Sequence, residues 1–126
     1  MRSDLAALLP KDKMDTERAK AIIALNHAEV EPLLPALLEW MQDINWPVAQ
    51  VLQPFLARVG RPLAPHVRNV LETDDDVWKG WVLRHIVAES PELQAMLGGD
   101  IERLANHPTP GERAEELDIL AKELLA

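Results

Sequence analysis

The sequence predicts an all-α fold: an α-solenoid of short HEAT-like helix-pair repeats closed by a C-terminal capping helix. Three observations lead there. Apolar residues make up 48% of the 126 positions, with Leu and Ala foremost, while aromatics are only 4%, with no Tyr and a single Phe. Strands favour β-branched and aromatic side chains, and helices favour Ala, Leu, Glu, Lys and Arg, so this composition leans to helix. Apolar positions recur at helical spacing in every segment, with no alternating run. Finally, residues suited to start a helix, Asp15, Asn45 and Asp75, stand 30 positions apart.

Each of these residues opens the first helix of a pair, because its side-chain oxygen can accept from the unpaired N–H groups of a first turn. The apolar stripes that follow are Ala19, Ile22, Ile23 and Leu25; then Val48, Val51, Leu52, Phe55 and Leu56, ending near Gly60; then Val77, Trp78, Trp81, Val82 and Ile86. Pro54 lies inside the second stripe and should kink that helix without ending it, since Phe55, Leu56 and Val59 continue the face. Proline marks each second helix: Pro32 and Pro35, Pro62 and Pro65 in the same phase, then Pro91. A first turn tolerates proline because its missing N–H has no intrahelical acceptor to meet. In the third pair Gly98-Gly99 interrupts the pattern of Leu93, Met96, Leu97, Ile101 and Leu104 and is expected to bend or break it. Thr109-Pro110-Gly111-Glu112 has the form of a capping box opening one last amphipathic helix, with Leu117, Leu120, Ala121 and Leu124 inward and Glu115, Glu116, Lys122 and Glu123 outward. The expected single domain thus divides into repeats 15–44, 45–74 and 75–108 and a cap, 109–126. The unit is shorter than the roughly 40–47 residues of ordinary HEAT or armadillo repeats. The ankyrin and tetratricopeptide signatures are absent from the sequence.

Composition narrows the function classes. The chain has no cysteine, which removes disulfides, thiolate metal sites and cysteine nucleophiles together and fits a reducing compartment. Met1-Arg2-Ser3-Asp4 followed by a short apolar stretch does not read as a secretory leader, and no run approaches the roughly 18 apolar residues a membrane span needs. The expected location is cytoplasmic. Thirteen basic residues against 21 acidic ones give a formal charge of −8, which disfavours nucleic acid and anionic membranes as partners.

The most informative local motif is Asp-x-x-Trp, which occurs as Asp43-Ile44-Asn45-Trp46 and as Asp75-Asp76-Val77-Trp78. Indoles at these positions can pack against the neighbouring repeat, or they can stand partly exposed beside carboxylates. On the second reading Asp43, Asn45, Trp46, Asp75, Asp76, Trp78 and Lys79 form one binding edge, suited to a ligand with apolar groups and a positive charge. His27, His66, His85 and His107 show no metal-ligand spacing, and Glu72 to Asp76 lacks the alternation of a calcium loop. No phosphate loop, nucleophile elbow or dinucleotide fingerprint is present. The expectation is a non-enzyme without cofactor or metal.

Leu8-Leu9-Pro10-Lys11-Asp12-Lys13 with Asp15, then Asn45-Trp46-Pro47-Val48-Ala49, then Asp76-Val77-Trp78-Lys79 resemble a small bacterial domain family of unknown function, number 5071 in that series. The resemblance spans nearly the full length and implies a helical, HEAT-like fold. It implies no activity, substrate or catalytic residue. The expected function is a protein–protein interaction module of a bacterial cytosolic protein, its partner another protein and a basic one among the options. The alternatives are an immunity-type or inhibitory protein covering a basic partner, and an enzyme or small-ligand binder without a recognisable motif.

Overall fold

Asp15 accepts a hydrogen bond from the Arg18 N–H and so starts α1 (Thr16–Ile23). Asn26 caps α2 (His27–Val30) in the same way, through the Glu29 N–H. The chain continues through a 3-10 turn at Glu31–Leu33 into α3 (Leu34–Glu39) and a second 3-10 turn at Trp40–Gln42. It then forms α4 (Pro47–Val59), a 3-10 turn at Arg61–Leu63, α5 (Ala64–Leu71) and α6 (Asp76–His85). A turn at Val87–Glu89 leads to α7 (Pro91–Met96), α8 (Gly98–Asn106), α9 (Pro110–Ala114) and α10 (Leu117–Leu125). These elements come from a computed structural model that describes residues 7–126, all helical in their regular parts. The reading of the opening segment as lacking a secretory leader rests largely on residues 1–6, outside those described.

The proline phase has a direct structural counterpart. Pro32 and Pro62 lie in equivalent 3-10 turns, and Pro35 and Pro65 lie in the first turns of α3 and α5. At both places a donor-free residue occupies a turn where no acceptor waits. Helix α4 runs through Pro54 without ending. It stops at Gly60, whose φ of 72° is open to glycine at little cost, and the neighbouring Arg61 N–H donates to the Glu92 carboxylate.

Several local expectations are corrected. Asn45 does not cap α4. The helix opens one residue later, with Trp46 in the cap position and no side-chain cap bond, because Pro47 is a ready first residue with φ already set. The N–H groups of Asn45 and Trp46 instead fold back onto Asp43, onto its carboxylate and its carbonyl respectively. Val77 does not belong to the inner stripe of α6 and is 50% exposed; Lys79, Gly80, Val82 and Leu83 are the buried residues of that helix. The break in the third pair falls at Leu97, immediately before Gly98. The last helix is two, α9 and α10, hinged at Glu116 in the left-handed region at φ 60°. No glycine or asparagine marks that corner, so the pattern alone runs straight through it.

The core is continuous and aliphatic, with Ile22, Leu37, Leu38, Met41, Leu52, Leu56, Leu63, Leu83, Leu93 and Leu104 among its members. First helices lie on first helices, α1 against α4, and second on second, α3 against α5. The turn at Trp40–Gln42 packs on α6, and α10 lies along α8 and touches α6. As expected, Leu117 and Ala121 are buried and Leu120 and Leu124 half-buried, while Glu115, Glu116, Lys122 and Glu123 face water.

Candidate interaction surface

Where each second helix meets its neighbours, the packing leaves an open groove. The first, about 330 Å³, lies between Leu9 and Pro10 of the N-terminal segment and Ala36, Glu39 and Gln42, with Trp40 and Trp46 in its wall. The second, about 360 Å³, lies between α3 and α5, lined by Pro35, Leu38, Glu39, Gln42, His66, Asn69 and Trp78 among others. The third, also about 360 Å³, runs from the end of α5 to α8 and α9, between Glu72, Thr73 and Asp74 on one side and Asp100, Arg103 and Glu112 on the other. Glu39 and Gln42 form a wall common to the first two grooves, and Thr73 is common to the second and third. The grooves therefore follow one another across the molecule as a single track.

Indoles shape the first two. Trp40 and Trp46 meet edge to face, centroids 6.0 Å apart at 74°. Aromatic quadrupoles favour that arrangement, and it fixes both rings. Trp78 donates its indole N–H to the Leu38 carbonyl at 2.9 Å, a carbonyl near the end of α3. The same residue's backbone N–H is held by Asp75, the N-cap of α6. One cap and one indole bond thus hold α6 against α3 and leave the half-buried indole lining the groove.

Charge pairing shapes the third. Lys79 is 3% exposed and Glu112 is 1% exposed. The Lys79 ammonium lies 2.9 Å from Glu112 Oε2 and 2.9 Å from Asp76 Oδ1. Arg103 grips the same Glu112 carboxylate with both terminal nitrogens, at 3.0 and 2.8 Å. Glu112 also completes the capping box with Thr109, accepting from its N–H at 2.9 Å. The two-pronged hydrogen bond from Arg103, with help from Thr109 and Lys79, outweighs burial and lowers the Glu112 pKa to about 2. For Lys79 burial alone favours the neutral amine, but the hydrogen bonds and charges of Glu112 and Asp76 more than offset it and raise its pKa. Asp76 also lies against Gly111, where any side chain would overlap its carboxylate. Alongside, Arg68 bonds Asp100 at 3.1 Å and ties α5 to α8.

With this geometry in view, kinship follows from a family model: the one described as domain of unknown function DUF5071 matches residues 8–125. The chain belongs to the DUF5071 family. Comparison with curated proteins finds no match. The family description assigns no activity.

The residues expected to form one binding edge are distributed along that surface. Trp46 lines the first groove, Trp78 the second and Lys79 the third. The wall of Glu39 and Gln42 separates the two indoles. Asp43 is a turn former and Asp75 a helix cap, each engaged by backbone N–H groups. Asn45 is exposed at the turn. Lys79 meets both Asp76 and Glu112, so the ammonium expected to face a ligand is turned inward. Sequence reasoning missed Glu39, Gln42, His66 and Asn69. A usable signal existed: polar residues recur 30 positions apart on the second helices, as Glu39 and Asn69, and just beyond them, as Gln42 and Glu72.

Proposed function

We propose that this DUF5071 chain is a non-catalytic protein–protein interaction module of the cytoplasm, a short HEAT-like array that binds another protein along its grooved face. The observation that carries the reading is the succession of open grooves where consecutive helix pairs meet, joined by shared walls. A stack of helix pairs presents side chains at regular intervals on a rigid frame, which suits recognition of an extended surface. Grooves of a few hundred Å³ that open to solvent accept side chains of a partner in turn. The carboxylate with the most distinctive environment, Glu112, is held ionised by Arg103 and Lys79 at a pKa of about 2, far from the range in which proton transfer near neutral pH is efficient. An inhibitory protein that covers a basic partner is the second reading, favoured by the formal charge of −8 and the acids along the track.

Photo-crosslinking in cells tests the module. A benzophenone amino acid is placed at Gln42 or Asn69 within the track, and at Lys122 or Glu123 on the outer face of α10. The expected result is a discrete protein adduct from the track positions only. Adducts absent from the track, or equally abundant from α10, overturn the reading.

A further inference from the structure

We infer that the track takes an extended segment of its partner that carries a basic side chain at about every third residue, with apolar residues between. The inference rests on the interaction reading above and names the chemistry of the occupant. Glu39 stands in the wall between the first two grooves, and Glu72 and Asp74 stand on the rim of the third. Among the described residues none of these three carboxylates has an ion pair, whereas the track's cations, Lys79 and Arg103, are both held by Glu112. Among the described residues the track therefore offers unneutralised negative charge and no lysine or arginine free of a partner. Beside the Glu39 charge lie apolar surfaces, Trp40 and Trp46 in the groove on one side and Trp78 in the groove on the other.

An arginine or lysine satisfies both features at once, because its methylene stem lies along the ring while its head meets the carboxylate. Neighbouring helices stack about 8–10 Å apart. A chain in the polyproline-II conformation advances about 3.1 Å per residue and returns its side chains to the same face every three residues, so about three residues carry it from one groove to the next. Alternation of one basic and two smaller apolar residues matches that stride. An acidic segment would meet Glu39, Glu72 and Asp74 with like charge, and a segment without charge would leave them unmatched.

The probe is a synthetic peptide of four Arg-Ala-Leu units, compared with its Glu-Ala-Leu counterpart by fluorescence anisotropy on the full chain. The Arg peptide is expected to bind and the Glu peptide not to. Two triple variants remove equal charge: E39Q/E72Q/D74N on the track, and E115Q/E116Q/E123Q on the exposed corner between α9 and α10 and the outer face of α10. The track variant is expected to weaken the Arg peptide at least tenfold, and the outer variant less than twofold. Equal losses in the two variants would mean attraction by net charge alone and would overturn the inference, as would equal binding of the Glu peptide or no binding of the Arg peptide. Crosslinked adducts from Gln42 and Asn69 without selectivity for the Arg peptide would sink this inference and leave the interaction module standing. Absence of those adducts sinks the module itself.

Discussion

Replacing Glu112 by Ala removes one side chain from the centre of four interactions, and the cost can be worked from the geometry. Lys79 keeps only Asp76, whose side chain is 21% exposed, and stays buried itself. Arg103 loses both bonds to the carboxylate but is 41% exposed, so water takes them over. The Thr109 N–H loses its acceptor, which costs about 1 kcal/mol in comparable caps. Removing one partner of a buried ion pair costs about 3–5 kcal/mol in general. The fall of the Glu112 pKa from 4.5 to about 2, caused by the same partners, corresponds to on the order of 3 kcal/mol of interaction in the folded state. With Asp76 retained and Arg103 rehydrated, the lower part of the range applies, and E112A is expected to lose about 3–4 kcal/mol in urea unfolding followed by tryptophan fluorescence. Adding K79M to E112A should recover part of that loss, because no uncompensated ammonium is then buried. An E112A variant within about 1 kcal/mol of the parent, or a K79M change that only adds further loss, would refute the reasoning.

Four further outcomes are expected. The folded Glu112 pKa lies below its unfolded value, so its stabilisation is fully present above pH 4.5 and is lost as pH falls towards about 2; E112Q should flatten that acid limb in urea titrations, and an unchanged limb would count against it. E116G should raise stability by about 1 kcal/mol, since only glycine enters the left-handed region freely, and a lower melting temperature would contradict the hinge. W78A should cost about 2–3 kcal/mol, more than W46A, because it also removes the indole hydrogen bond that ties α6 to the Leu38 carbonyl; the reverse order in calorimetry would contradict the indole anchor. Deleting residues 109–126 should cause aggregation or a large loss of stability, as it uncovers Leu104 and leaves Lys79 without Glu112; a soluble truncation that melts like the parent would show that α9 and α10 are dispensable.

Local chemistry was legible in the sequence and tertiary chemistry was not. The caps at Asp15 and Asp75, the capping box at Thr109 and the paired prolines are decided within one turn of chain, and they formed as read. Asn45 failed because two local rules competed, and a proline at the first helical position displaced the cap. The Glu116 corner carries no turn residue; it accommodates α10 lying along α8 while α9 delivers Glu112 to Lys79. The 33-residue separation between Lys79 and Glu112 keeps their pairing out of any local pattern. Lys79 read as an exposed cation because lysine is seldom buried without a partner, and its partner lay in another element. The grooves are products of packing between elements distant in sequence, so the motif Asp-x-x-Trp located Trp46 and Trp78 but neither Trp40 nor the walls.

The four tryptophans supply the most direct test that the grooved face is the receptive one. Trp40, Trp46 and Trp78 line the first two grooves, whereas Trp81 lines none of the three and stacks on His85, with centroids 5.5 Å apart. Each indole N–H gives its own proton–nitrogen NMR signal, so titration with the Arg-Ala-Leu peptide reads the faces of the molecule side by side. The account predicts shifts of the Trp40, Trp46 and Trp78 signals with a common affinity and a stationary Trp81. A moving Trp81 beside three unmoved groove indoles would place the receptive face elsewhere.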